Sequence, residues 1–289
     1  MLIQISDLYN NTIQFEYKSV SPYGQVLSKI RDVLGNEINF TYTSTEVLLT
    51  LGDRTVKYEK IKDPQGNKEL LSQVTDTVGR KTQYVYEIVQ TPFDLVGNSM
   101  KENYTALIKH VYHPTQAHTD YTYDSITRSL GSVAREVVYR VKSREDVVDY
   151  QNGTALKANK VSYSYIGDGA ASSQSDLNFS TTVSNGLIDT TYKYLKKFID
   201  QSTPEVIFNK EIIEQAVGTN PIEKKTTVQT YDEIRRLPVP NTIIVTNSTG
   251  TATSTPAIVS RTFDDYGNVL TEKNPNNVQT TYSYDASTH

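Results

Sequence analysis

Three of the chain's four histidines, His110, His113 and His118, fall in one short stretch that ends at Asp120. Imidazole and carboxylate are zinc ligands, and a zinc site needs three or four of them converging, with supporting hydrogen bonds behind. In a strand the side chains alternate sides, so the odd offset between His110 and His113 sends these two to opposite faces. The spacing predicts surface and turn histidines and no metal centre. The same alternation separates the neighbouring carboxylates Asp264 and Asp265, which therefore do not flank one substrate as an acid–base pair. The chain has no cysteine in 289 residues, which removes thiolate metal sites, cysteine nucleophiles and disulfide scaffolds. No Gly-x-Ser-x-Gly, phosphate-binding glycine loop or His-Glu-x-x-His occurs. The expectation is a protein with no catalytic, cofactor-binding or metal-ligating residues, and not an enzyme.

Tyrosine is the remaining reactive surface: the chain holds 21 Tyr and no Trp. Tyrosine faces on a sheet can stack sugar rings and offer a hydroxyl as a polar handle. They can equally form cross-strand pairs that hold a thin sheet together, each contributing about 0.2–1 kcal/mol. The aromatics recur along the chain instead of clustering at one point, which favours the structural role.

That recurrence leads to the elements that carry them. Asp7, Asn10, Phe15 and Tyr17 stand at offsets repeated by Asp32, Gly35, Phe40 and Tyr42, and again by Asp76, Gly79, Tyr84 and Tyr86. Asn274, Asn277, Tyr282 and Tyr284 follow the same ruler, and His113, Gln116, Tyr121 and Tyr123 form a degenerate copy. Asp and Asn bond their own backbone two residues on, and Gly and Asn tolerate positive φ, so the first half of each unit is a turn. Aromatics two apart share one face of a strand. A second module precedes the turn in Tyr266-Gly267-Asn268-Val269-Leu270, in Tyr23-Gly24-Gln25-Val26-Leu27 and, through Leu70 and Leu71, in Asp63-Pro64-Gln65-Gly66-Asn67. The pattern predicts an all-β chain of consecutive antiparallel hairpins. The Asp-x-x-Gly turns lack the dense alternating carboxylates and terminal Glu of a calcium loop.

These residues resemble the YD-repeat, or Rhs-repeat, family. Tyr231-Asp232-Glu233-Ile234-Arg235-Arg236-Leu237 is similar to its Tyr-Asp-x-x-Gly-Arg-Leu element, with Arg235 in place of Gly. Phe263-Asp264-Asp265-Tyr266-Gly267-Asn268-Val269-Leu270 is a variant of the same element, and Asp63-Pro64-Gln65-Gly66 matches Asp-Pro-x-Gly. Tyr282-Ser283-Tyr284-Asp285 and Tyr121-Thr122-Tyr123-Asp124 match the closing Tyr-x-Tyr-Asp. Residues 1–86 and 231–285 carry the resemblance, and the middle only in patches. It implies a curved, single-layer sheet wound from β-hairpins, part of a shell like those of bacterial polymorphic toxins, insecticidal toxin complexes and teneurins. It further implies secretion or a cell-surface location. The partners implied are flanking repeats of a larger polypeptide or an enclosed toxin cargo domain. A complete shell needs more repeats than this chain holds, and the self-cleaving segment of the family is not recognisable in it, so enclosure of a cargo does not transfer to this piece alone.

Composition agrees with a thin sheet. With tyrosine (21 residues) left out and glycine (14) counted in, the apolar fraction moves from 37% to about 35%, low against the ~45–50% usual for globular domains on the same residue set. Net charge is −4, with 29 Lys and Arg against 33 Asp and Glu, and the signs are mixed. Without a basic face, nucleic acid is not an expected partner, and no apolar window approaches the ~18 residues of a membrane span. Met1-Leu2-Ile3-Gln4-Ile5-Ser6-Asp7 does not read as a signal peptide. The organisation expected is YD-type repeats over 1–100, degenerate repeats or a β insert over 101–230, and YD-type repeats over 231–289. In the middle, 136–142 and 160–165 read as strands, with a hairpin through Asn152-Gly153. The stretches 166–175 and 247–256 read as loops. Thr203-Pro204-Glu205 could cap a helix, yet Val206-Ile207-Phe208 favours strand over 204–217. Unpaired sheet edges predict self-association unless loops and charge blunt them. The function expected is a non-catalytic structural module that encloses or presents another domain. The alternative is a carbohydrate-binding β module using exposed Tyr faces. An acid pair converging only in three dimensions, as in a glycan-active enzyme, is the third reading.

Overall fold

In a computed structural model the described residues are 1–65, 68–95, 103–130, 134–149, 154–167, 177–197 and 206–284. They form strands joined by turns, with no helix among them. The strands are β1 (Gln4–Ser6), β2 (Thr12–Val20), β3 (Gly24–Arg31), β4 (Glu37–Tyr42), β5 (Glu46–Leu51), β6 (Arg54–Lys62), β7 (Glu69–Thr75) and β8 (Lys81–Gln90). There follow β9 (Phe93–Leu95), β10 (Tyr104–Tyr112), β11 (His118–Leu130), β12 (Ala134–Asp149), β13 (Ala155–Ile166), β14 (Leu177–Ser184) and β15 (Ile188–Lys197). The remainder are β16 (Val206–Ala216), β17 (Glu223–Thr230), β18 (Thr242–Thr249), β19 (Ala252–Thr253), β20 (Ala257–Phe263), β21 (Val269–Lys273) and β22 (Gln279–Thr281).

Two compact units divide the chain. The first comprises Met1–Gln90, Tyr104–Tyr121 and Glu145–Ala158. In it β1 to β8 pair antiparallel in chain order, and β8 then takes β10 as its outer neighbour. The second comprises Thr91–Asn103, Thr122–Arg144 and Asn159–His289. There β13 to β18 pair in order, β18 passes to β20, and β21 and β22 follow. The short β9 pairs with β12. Within β1 to β8 and β13 to β18 neighbours in sequence are therefore neighbours in the sheet, as hairpins with short turns dictate.

The strands follow from alternation. In β8, Thr82, Tyr84, Tyr86 and Ile88 occupy the half-buried face, and Lys81, Gln83, Val85 and Glu87 face outward. A period of two with one covered face is the mark of an antiparallel sheet packed on one side only. The apolar content is too small for a thick core, and the structure shows this directly. Among the described residues only Val147, Phe208 and Phe263 are buried hydrophobic side chains. Stability has to come from what joins one strand to the next.

Two sequence expectations are changed by the structure, and one is resolved. Residues 247–256 do not form a plain loop: Ser248 pairs with Thr253 and Thr249 with Ala252 around Gly250. Gly250 sits at φ 59°, the conformation that a two-residue hairpin turn with Gly at its first central position requires. In the Tyr231–Leu237 element the left-handed position belongs to Arg236, at φ 59°, and not to Arg235. The turn is one residue longer than expected, closing from the Leu237 amide to the Asp232 carbonyl at 3.2 Å. Residues 206–216 are strand β16. Gly66-Asn67, the Asn152-Gly153 turn, residues 168–175, Thr203-Pro204-Glu205 and Asp285 lie outside the described residues.

Gly35 and Gly79 both adopt φ 83°, with nothing within 4 Å of where a Cβ would sit. Backbone conformation alone therefore sets the cost of a side chain. Gly79→Ala is expected to lower stability by about 1–2 kcal/mol in urea unfolding, while Asn10→Gly, at φ 62°, leaves it unchanged or raised.

Candidate functional site

The residues singled out by the repeat form a hydrogen-bonded unit that recurs. Each turn begins at a polar residue whose amide donates to the carbonyl four residues on, and whose carbonyl accepts from the amide three residues on. Asp7, Asp32, Asp76, His113, Asp264 and Asn274 all show this pair of bonds, at 2.8–3.2 Å. The residues three further on, Asn10, Gly35, Gly79, Gln116, Gly267 and Asn277, all have positive φ between 62° and 89°. This is the three-residue hairpin loop, a type I turn followed by one left-handed residue.

The side chain reinforces the turn. Oδ1 of Asp7 accepts the amides of Tyr9 (2.8 Å) and Asn11 (2.9 Å). Asp32 does the same for Leu34 and Asn36, Asp76 for Val78 and Arg80, Asp264 for Tyr266 and Asn268, and Asn274 for Asn276 and Val278. Oδ2 of the four Asp residues accepts in turn from Asn11, Asn36, Arg80 and Asn268. The sequence reading missed this second partner, although Asn or Arg four residues after Asp was there to find. It also treated Gly267 as a separate module, whereas Asp264–Gly267 is the same turn as the others. The side-chain bond from Asn11 holds Asp7 below its ordinary carboxyl value, and those from Asn36 and Arg80 do the same for Asp32 and Asp76.

Around the turns that begin at Asp7, Asp32, Asp76 and Asn274 the two strands pair over three positions and then part, whereas the Asp264 hairpin pairs over four. The pairs are 4–6 with 12–14, 29–31 with 37–39, 73–75 with 81–83 and 271–273 with 279–281. The parting coincides with a β-bulge in the earlier strand, seen where the register between β2 and β3, β6 and β7, and β20 and β21 skips Ser28, Ser72 and Leu270. A bulge breaks the ladder and leaves backbone groups without a strand partner. The tyrosine hydroxyl supplies it. Tyr42 donates to the Leu27 carbonyl (2.8 Å), Tyr86 to Leu71 (2.7 Å) and Tyr284 to Val269 (2.9 Å). Tyr17 donates to Leu2 at 2.8 Å, again fifteen residues back. Tyr231 serves a further bulge, at Lys210, by donating to the Asn209 carbonyl (3.1 Å). Burial raises the phenol pKa of Tyr42, Tyr86 and Tyr231, so these hydroxyls keep their proton.

Asp232 closes its longer turn by accepting from the Arg235 amide and guanidinium at 2.9 and 2.8 Å. The same guanidinium donates to the Asp264 carbonyl (2.6 Å).

The histidine stretch behaves differently from its spacing. His113 is the first residue of a turn, and its ring nitrogen lies 2.9 Å from the Thr119 hydroxyl, which donates to Asp146. The register places His110 opposite Asp120 and Tyr112 opposite His118. On that face His110 Nδ1 lies 2.6 Å and His118 Nε2 3.2 Å from one oxygen of Asp120. These are the side chains among the described residues that could hold a metal ion.

Neither a family model nor a curated protein sequence matches the chain. Among solved structures, the crystal structure of TcdB2-TccC3-TEV aligns with 94% of this chain at 9% identity and a TM-score of 0.15. The crystal structure of TcdB2-TccC3 without its hypervariable C-terminal region aligns with 96%, at 9% identity and a TM-score of 0.16. The chain spans 23% of the length of each.

Two predictions follow from the repeated unit. Tyr42→Phe and Tyr86→Phe, which strip half-buried carbonyls of their donor, are expected to cost about 1 kcal/mol each in denaturant unfolding. Tyr17→Phe and Tyr284→Phe, whose bonds are exposed, should cost less because water replaces the hydroxyl. The turn carboxyls set an acid limit. Their folded pKa lies below the unfolded value of about 3.8, so their contribution is complete above that pH and is lost as pH falls through the folded value. Thermal melts between pH 6 and pH 2 should show a fall confined to the acid end, shallower in Asp76→Asn.

Proposed function

We propose that this chain is a non-catalytic structural module, a stretch of YD/Rhs-type repeat wall from a secreted or surface bacterial toxin or adhesin, whose work is to enclose or present another domain. The observation that carries the proposal is the tyrosine-to-carbonyl bond found fifteen residues back in four repeats. A single binding or reactive site would concentrate its polar groups, whereas here the same groups are spent repeat by repeat on the backbone. The turn carboxylates accept amides and the repeat hydroxyls donate to carbonyls, which takes both away from a bound sugar or substrate. The carboxyls of Asp7, Asp32, Asp76, Asp232, Glu37, Glu59, Glu69 and Glu233 are held below their ordinary values by hydrogen bonds and ion pairs. A general acid needs the opposite shift.

A wall segment also needs edges that accept further strands. Among the described residues β1 pairs only with β2 and β22 only with β21. Ile3 and Ile5 on the first edge are 70% and 50% exposed, and unpaired edges of this kind seek a partner strand. Sedimentation of the isolated chain is expected to show concentration-dependent association. Cryo-electron microscopy of the uninterrupted polypeptide that carries this sequence should show neighbouring repeats paired at these edges. A chain that sediments as a monomer at all concentrations, with both edges free of neighbours in the longer polypeptide, would contradict the proposal.

A further inference from the structure

The hairpin of β10 and β11 carries a cluster that the repeat does not require. Its turn begins at His113, so by the ruler of the other repeats the residue three before it faces the residue seven after it. His110 therefore stands opposite Asp120, as Lys29 stands opposite Asn39 and Gln73 opposite Gln83. His118 lies two residues before Asp120 on the same strand, hence on the same face and diagonal to His110. In the other repeats these positions hold no such set: around Asp32 they are Lys29, Glu37 and Asn39.

Three donors converge. The ligand atoms of His110, His118 and Asp120 all lie within 4.8 Å of one another. The surroundings are partly dry: His118 is 7% exposed, and its ring packs against Tyr112 at 5.0 Å and His110 at 5.7 Å between centroids. His113 is on other business, bonded to Thr119 beside Asp146.

From this geometry we infer that His110, His118 and Asp120 form a binding site for a single zinc ion, which cross-links β10 to β11. Two imidazole nitrogens and a carboxylate oxygen suit zinc, whereas calcium and magnesium take oxygen ligands. Zinc–ligand bonds of about 2.0–2.2 Å in a tetrahedron set donors roughly 3.3 Å apart. The His118–Asp120 separation of 3.2 Å already meets that spacing. The His110–Asp120 contact of 2.6 Å has to open by less than the swing of one carboxylate. Water completes the shell. The ion bridges two strands and replaces the carboxylate as the partner of both rings.

The test is titration of the metal-free whole chain with zinc chloride, followed by calorimetry and by thermal melting. Saturable uptake near one ion per chain and a rise in melting temperature are expected, since a ligand of the folded state stabilises it by mass action. Magnesium chloride should give neither. His110→Gln and Asp120→Asn, at half-buried positions, should each weaken zinc binding by at least about tenfold. His113→Gln, a histidine of the same hairpin outside the cluster, should leave it unchanged. Circular dichroism reports whether each variant keeps its strands. Cobalt chloride gives a second readout through the visible bands of a tetrahedral nitrogen–oxygen site, lost in His110→Gln. The inference fails if the folded chain takes up no zinc. It fails equally if uptake survives both His110→Gln and Asp120→Asn, which would place the ion elsewhere.

Discussion

The structure depends on one interaction, the hydroxyl of a tyrosine closing the gap that a β-bulge opens. A sheet with only three buried hydrophobic side chains among its described residues has little apolar burial to hold its strands in register. Each repeat hairpin led by Asp7, Asp32, Asp76, Asp264 or Asn274 is secured at its closed end by a capped turn. At its open end, where Ser28, Ser72 or Leu270 breaks the ladder, a phenol reaches across to the stranded carbonyl. The aromatic ring covers the parting and the hydroxyl satisfies the backbone, so one residue type does both jobs. This accounts for tyrosine at Tyr42, Tyr86 and Tyr284, where phenylalanine would supply only the ring.

The two ends of the unit are coupled by distance along the chain. The turn fixes which residues face each other over three pairs, and the bulge then sits four residues before the turn in each of three repeats. The tyrosine ten residues after the turn meets the carbonyl five before it. Moving any of the three features by one residue would send the hydroxyl to the other face of the strand. Spacing is thus conserved within this one chain while residue identity is not: Asp, Asn and His all begin turns, and Gly, Asn and Gln all take the left-handed position.

That distinction explains what the sequence made legible. The Asp-to-Tyr ruler announced turns and strands because turn chemistry and period-two alternation are local. The partner of each tyrosine was hidden, because a bulge has no residue signature: Ser28, Ser72, Leu270 and Lys210 share no property. The convergence of His110, His118 and Asp120 was hidden for a different reason. Reading His110 and His113 as neighbours on one strand ignored the turn that His113 itself begins. Applied to His113, the ruler of the other repeats gives the His110–Asp120 register at once. Arg236 shows the remaining limit: a non-glycine residue held at positive φ reflects the length of a whole turn, not the residue's own preference.

The central claim is that these repeats are equivalent in structure, each locked at the same two points. Amide hydrogen exchange on the intact chain tests it most directly, by comparing the strands that follow the interior turns, residues 37–42 and 81–86. The account predicts slow exchange of similar rate in both, with fast exchange at the exposed turn residues Val33 and Thr77, which lie outside the paired strands. Exchange at the rate of a free chain in one of the two strands, with protection in the other, would contradict it.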